Sequence, residues 1–155
     1  MSQENGETAD LLLDQQLCFA LYAASRAMVQ SYQPFLAPLS LTYPQYLVML
    51  VLWEQDGLSV KQIGERLYLD SGTLTPLLKR LATVGYVARQ RSTDDERHVV
   101  IRLTETGRAL RRKAAAMRAD MTCQHGHQLS VAKGLKTTLT DLLAQMRSMK
   151  SGNAD

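Results

Sequence analysis

Apolar residues recur at spacings of three and four along most of the chain and at alternate positions in one short region. This pattern predicts a mainly helical protein with a small β-hairpin. Residues 10–33 place Leu13, Leu17, Leu21, Ala24 and Met28 on one helical face, and Pro34 and Pro38 are expected to end that helix. A second helix should run from Pro44 to Asp56 and Gly57. Ser59, with Gln62 three residues later, forms a capping-box pattern for a short third helix that ends before Leu69, Asp70, Ser71 and Gly72. Leu74, Leu77, Leu78 and Leu81 then stripe one side of a fourth helix reaching Val84 and Gly85, and Pro76, read as a first-turn residue, puts its start near Gly72 or Thr73. Residues 86–91 and 98–103 read as two strands around the polar stretch 92–96. A fifth helix opens at Thr104 and fades near Gly126, a final one covers about 130–149, and the last residues, SGNAD, are expected to be disordered.

Composition narrows the class. With 155 residues, 45% hydrophobic and 21% charged, the chain reads as one domain or one two-lobed unit, and whole-chain disorder is excluded. No apolar run approaches the roughly 20 residues of a membrane-spanning helix, and the start MSQENGETAD lacks the features of a secretory signal; the expected location is the cytoplasm, with no membrane partner. A net charge of +3 conceals an asymmetry: residues 61–118 hold 13 of the 18 Lys and Arg but 6 of the 15 Asp and Glu, so this segment carries +7. Such a basic middle suits a polyanion, although a solvated helical face has the same composition.

Two short helices followed at once by a basic hairpin describe a winged helix-turn-helix, whose second helix enters the major groove of double-stranded DNA. The leucine stripe anchors that helix and leaves hydroxyls and cations outward. The candidate contact set is Ser71, Thr73, Thr75, Pro76, Lys79 and Arg80, joined on the hairpin by Arg89, Arg91 and Arg97. Lys79 and Arg80 suit phosphates better than base edges, and Thr73 and Thr75, by their positions alone, read more readily as surface threonines near a cap than as base contacts.

With Asp95, Glu96 and Arg97 followed by Leu103 and Thr104, and with the segment 69–81 reading LDSGTLTPLLKRL, the sequence resembles the MarR family of bacterial winged-helix repressors, and within it the organic-hydroperoxide-sensing branch. The likeness spans about residues 10–148. It implies a homodimer on a pseudo-palindromic operator, with residues 10–45 and 105–150 in a helical dimerisation lobe and 46–104 as the DNA-binding domain. It also makes Asp95 the residue that positions Arg97. No cofactor and no metal are implied.

Cys18 lies in an apolar helix, where the simplest reading is a small inert core residue. Tyr22, Tyr32 and Tyr43 give it another role, because phenols donate hydrogen bonds to a thiolate. Tyr22 and Tyr32 follow Cys18 by four and fourteen residues, within about 40° of it around a helix, yet Tyr32 stands roughly 21 Å along the axis. If Tyr32 and Tyr43 serve Cys18, they do so from another subunit. The resemblance implies that Cys18 is the peroxidatic residue, that Tyr32 and Tyr43 bond to it, and that Tyr22 is a weaker candidate. Apolar neighbours Leu17, Phe19, Leu21, Val48 and Trp53 were candidates for favouring an organic oxidant. The resemblance also sets Cys123 where the two-cysteine type carries its second thiol, implying an intersubunit disulfide after Cys18 becomes a sulfenic acid.

Other readings stay open. Cys123 and His127 are four apart, as metal ligands on a helix can be, and His98 suits wing packing or a phosphate. A thiol peroxidase would begin with the same attack on peroxide, and a MarR-type repressor of a small phenolic or hydrophobic effector would leave both cysteines incidental.

Overall fold

The computed structural model describes residues 11–91, 99–124 and 128–151. In chain order the elements are α1 (Leu17–Leu36), α2 (Tyr43–Glu54), β1 (Leu58–Ser59), α3 (Val60–Leu67), α4 (Ser71–Val84), β2 (Val87–Arg91), β3 (Val99–Leu103), α5 (Glu105–Gln124) and α6 (Gln128–Ser151). Short 3-10 turns occupy Leu13–Gln15 and Ala37–Leu39. The chain divides after Lys113 into two compact units.

The first unit is built around α2. Tyr46, Val48, Met49, Val51 and Leu52 are all buried on it, so this helix is apolar nearly all round and contacts α1, α3 and α4. A capping box starts it: the Gln45 amide oxygen accepts from the Thr42 backbone N–H at 2.9 Å. Leu36, Ile63, Leu74, Leu81 and Ile101 complete the fully enclosed core. The capping box expected at Ser59 is present, with Gln62 N donating to Ser59 Oγ at 3.2 Å and Ser59 N to Gln62 Oε1 at 2.9 Å.

The turn between α3 and α4 is tight for an identifiable reason. Tyr68 adopts a left-handed conformation, φ 58°, and the Leu69 N–H reaches back to the Gly64 carbonyl at 2.9 Å. A Cβ at residue 64 would lie 2.6 Å from the Leu69 oxygen, so only glycine fits there.

The sheet has three strands, not two, in the order β1-β3-β2, all antiparallel. β1 pairs Leu58 with Ile101 and Ser59 with Val100, while β2 pairs Val87 through Arg91 with Leu103 through Val99. Asp56 closes the end of β1. Its Oδ1 accepts from the Gly57 and Leu103 backbone N–H groups, each at 2.8 Å, and its Oδ2 is 3.0 Å from Arg108. Gly107 brings the first turn of α5 onto the strand entry, where a Cβ would lie 2.0 Å from the Tyr86 oxygen. The Trp53 indole donates to the Gly107 carbonyl at 2.9 Å and fixes α2 to the same turn.

Two boundaries differ from the sequence reading. The first helix begins at Leu17, not residue 10, because Leu11, Leu12 and Leu13 find nothing to pack against and remain exposed. It also passes through Pro34 to Leu36. Proline removes one bond in the last turn, but Leu36, 1% exposed, seats that turn in the core.

The second unit comprises the end of α5 from Ala114 and all of α6. Along α6, Leu135, Leu139, Leu143, Met146 and Met149 recur at spacings of three and four, and all are exposed. No single helix among the described residues is long and apolar enough to cross a membrane. Residues 92–98, which include Asp95, Arg97 and His98, lie outside the described residues, as do residues 125–127, with Gly126 and His127, and the final four residues, GNAD, from 152.

Candidate nucleic-acid interface and thiol site

Helix α4 presents two different sides. Leu74, Leu78 and Leu81 are buried, whereas Ser71, Thr73, Thr75, Pro76, Lys79 and Arg80 are exposed. Asp70 is its N-cap, so the helix starts at Ser71, one or two residues earlier than Pro76 suggested. Pro76 is therefore the sixth helical residue, in the second turn, where its missing N–H leaves the Gly72 carbonyl to solvent on an exposed side. Asp70 Oδ1 accepts from the Thr73 backbone N–H at 2.8 Å, and Oδ2 accepts from the Thr73 hydroxyl at 2.9 Å. The Thr75 hydroxyl donates to the Ser71 carbonyl at 2.6 Å. The backbone and hydroxyl of Thr73 hold the Asp70 carboxyl below its ordinary value, so it is ionised at neutral pH.

On β2, Arg89 and Arg91 are exposed and occupy alternate positions, which directs both from one face of the strand. With Lys79 and Arg80 they make four exposed cations on consecutive elements of the first unit. This arrangement can attract phosphates.

Cys18 and Cys123 are both exposed free thiols. The reading of Cys18 as a buried core residue is thus corrected: most of α1 before Leu36 is not covered within one chain. Cys18 is the second residue of α1, where unpaired backbone N–H groups and the helix dipole favour an anion. Tyr22, 57% exposed, accepts a 2.9 Å hydrogen bond from Arg26, whose guanidinium also lies 5.5 Å from the ring centroid. Tyr32 and Tyr43 meet edge to face with centroids 4.9 Å apart, and Tyr46 lies 6.1 Å from Tyr32. The two phenols are therefore neighbours in one chain. Cys18 and Tyr32 share the continuous helix α1, so fourteen residues separate them by roughly 21 Å along its axis. Of the apolar candidates around the thiol, Val48 is fully buried in the α2 core and cannot line an open site, while Leu17 is exposed. Among the described residues no group of three or more His, Cys, Asp or Glu comes together as metal ligands.

Residues 30–113 match the family described as "Transcriptional regulator SarA/Rot". The chain is 49% identical over 136 residues to the organic hydroperoxide resistance transcriptional regulator of Bacillus subtilis (strain 168), covering 86% of this chain and 92% of that protein. It belongs to the MarR/SarA family of transcriptional regulators. Among solved members, the reduced, DNA-bound AbfR superposes with a TM-score of 0.68 at 36% identity, covering 88% of this chain and 98% of that one. The disulfide-formed AbfR gives 0.64 at 36%, covering 92% and 99%; AbfR comes from Staphylococcus epidermidis.

The sequence pattern located the helix that carries the outward hydroxyls and cations. It did not single out two side chains, Asp70 beside the α4 hydroxyls and Arg26 beside the Tyr22 phenol of α1. Asp70 read as part of a break, although an Asp three residues before Thr73 is itself a cap signal. Arg26, four residues after Tyr22, supplies a cation on the face that Cys18 and Tyr22 share, and that spacing was the available clue.

Proposed function

We propose that this MarR-family regulator is a DNA-binding repressor that senses organic hydroperoxides through Cys18 and releases its operator on oxidation. The observation that carries the reading is the exposure of Cys18 at the N-terminal turn of α1, in a chain so similar to an organic hydroperoxide resistance regulator. α4 is the recognition helix: Ser71, Thr73, Thr75 and Pro76 face base edges, and Lys79, Arg80, Arg89 and Arg91 meet phosphates. Asp95 and Arg97 belong to the wing tip, with Arg97 reaching the minor groove or backbone.

The working form is a homodimer. Leu17 and Met28 on α1, and Leu135, Leu139 and Met146 on α6, are apolar side chains left exposed by one chain, and a second copy gives them cover. A second copy also brings Tyr32 and Tyr43 to Cys18, which the length of α1 forbids within one chain. Their hydroxyls donate to the thiolate, and Tyr22 with Arg26 adds a further polarised phenol nearby.

The chemistry balances in three steps. The Cys18 thiolate attacks the peroxide O–O bond, giving a sulfenic acid and the alkoxide of the alcohol, which takes up a proton. The thiol of Cys123 from the other protomer displaces water and forms a disulfide. Two equivalents of cellular thiol then return both cysteines to the reduced state. A disulfide requires its sulfurs to be about 2 Å apart, and drawing the two cysteines together to form it moves the recognition helices off the half-site spacing of about 34–36 Å. The reduced DNA-bound and disulfide-formed states in which AbfR has been solved support this cycle by analogy.

The test is operator binding by wild type, Cys18→Ser and Cys123→Ser, each reduced and then treated with cumene hydroperoxide. Wild type should dissociate and recover with dithiothreitol. Cys18→Ser should bind and ignore oxidant, and Cys123→Ser should respond weakly or accumulate higher sulfur oxides. Release of Cys18→Ser at the wild-type oxidant concentration refutes the sensing assignment and points to an effector-type repressor. Sustained peroxide consumption with a thiol donor would instead mark a peroxidase.

A further inference from the structure

The hydroxyl protons at the start of α4 are already assigned by their partners. Thr73 Oγ1 lies 2.9 Å from Asp70 Oδ2, and Thr75 Oγ1 lies 2.6 Å from the Ser71 carbonyl oxygen. An ionised carboxylate and a carbonyl are acceptors only, so in both contacts the threonine must be the donor. A hydroxyl has one proton and two lone pairs. With its proton turned inward, each oxygen offers the outside acceptor capacity alone, beside its methyl group. Both threonines are exposed, and they flank the fully buried Leu74, each about 100° from it around the helix on either side.

This has a consequence for base reading, which rests on the DNA-binding role proposed above. In the major groove the amino groups N6 of adenine and N4 of cytosine are donors, whereas N7 and O6 of guanine and O4 of thymine are acceptors. An acceptor-only threonine meets an amino group productively and meets guanine O6 or N7 lone pair to lone pair. We propose that Thr73 and Thr75 select adenine or cytosine at the bases they face and reject guanine, with Asp70 as the positioning residue that fixes the Thr73 proton. The low proton affinity of the Asp70 carboxyl agrees with this assignment, since it keeps that group an acceptor at neutral pH.

Asp70→Asn separates this role from helix capping. Asparagine caps as well as aspartate, and its Oδ1 can still accept from the Thr73 N–H. Its amide nitrogen, however, donates toward Thr73 Oγ1. The Thr73 proton then turns outward, and the hydroxyl becomes able to face guanine or thymine. Thr75, bonded to the Ser71 carbonyl, is unaffected by that change.

The experiment uses the full reduced protein. A duplex is selected from a random pool by wild type, and all four base pairs are then tested at each position by fluorescence anisotropy against wild type, Asp70→Asn, Thr73→Val and Thr75→Val. For wild type, replacing adenine or cytosine by guanine at the contacted positions should weaken binding about ten-fold. Asp70→Asn should shift the preference toward guanine or thymine at one position per half-site and leave the others unchanged. Thr73→Val should flatten the preference at that same position, and Thr75→Val should flatten it at a different one. Helical circular dichroism confirms that each variant is folded. A wild-type protein that selects no duplex overturns the DNA-binding role and this proposal together. A selected duplex whose base preferences are the same for wild type and Asp70→Asn overturns this proposal alone, as does a wild-type preference for guanine at the positions flattened by Thr73→Val and Thr75→Val.

Discussion

Asp56→Ala is expected to loosen the root of the wing by about 3 kcal/mol, most of it through backbone hydrogen bonds. The register of β1 on β3 pairs Leu58 with Ile101 and Ser59 with Val100, so two pairs further out Asp56 stands opposite Leu103. There the chain turns through Gly57, and the Asp56 carboxylate supplies the acceptor for Leu103 N–H, at 2.8 Å, that a longer strand would have supplied from its backbone. The same oxygen accepts from Gly57 N–H, and the other oxygen pairs with Arg108 at 3.0 Å. A hydrogen bond to a charged acceptor contributes roughly 1.5–3 kcal/mol, and the 22% exposure of Asp56 lets water replace part of the loss. The Arg108 side chain is 58% exposed, which limits the ion pair to about 0.2–1 kcal/mol. Urea unfolding of the full chain at one protomer concentration measures these differences, since the midpoint of the proposed homodimer depends on concentration. Asp56→Ala should cost about 3 kcal/mol, Arg108→Ala about 1 or less and declining with salt, and Asp56→Asn, which keeps an acceptor at Oδ1, should fall between them. Equal losses for Asp56→Ala and Arg108→Ala would refute the reasoning, because the ion pair would then be the main interaction.

Gly107→Ala places a Cβ 2.0 Å from the Tyr86 oxygen, so it should cost about 3 kcal/mol or more in the same unfolding assay. Leu74→Ala opens a cavity at a fully enclosed position and should cost about 2–5 kcal/mol, and it should also weaken operator binding because the recognition helix loses its anchor. The lowered proton affinity of Asp70 means that its cap is at full strength above the unfolded carboxylate value of about 4 and weakens as pH falls through its folded value; relative to Asp70→Asn, which does not titrate, wild type should therefore lose stability only below about pH 4. Tyr32→Phe combined with Tyr43→Phe should slow sulfenic acid formation at Cys18 by about ten-fold at pH 7, measured by dimedone labelling, while reduced protein keeps its operator affinity.

What could be read from the sequence was whatever short-range spacing encodes. The box at Ser59 and Gln62, the stripe of Leu74, Leu78 and Leu81, and the two strands around 92–96 all follow from patterns within a few residues of one another. β1 escaped because two residues cannot alternate, and its existence depends on a partner some forty residues later. The start of α1 was misplaced because Leu13, four residues before Leu17, carries helical spacing without a surface to bury it, and periodicity cannot distinguish the two. Pro34 was given more weight than its position warrants, since a proline in a last turn loses to one buried leucine. At the site, residue types pointed to the thiols, phenols, hydroxyls and cations. Which atoms donate and which accept required distances.

On the proposed reading, the placement of the thiol lets oxidation act on DNA binding without passing through the core of the winged unit. Residues 58–81 and 101–103 are locked by α2, Asp56 and the Gly107 turn, and a dense core yields in steps rather than by degrees. α1 is held differently. Of its twenty residues only Leu36 is buried, and a helix of this length gains little stability without a packing partner. On the proposed reading its partner is the second protomer, so the surface that holds α1 in place is also the one that carries Cys18. A sulfur oxidised there acts first on the contact between copies, and the recognition helices respond as rigid bodies whose internal hydrogen bonds at Asp70 and Thr73 need not change. Oxidised protein should then keep the hydrogen-exchange protection of Leu74, Leu78 and Leu81 while that of α1 falls. Loss of protection across α4 to the same extent would mean that the winged unit itself opens.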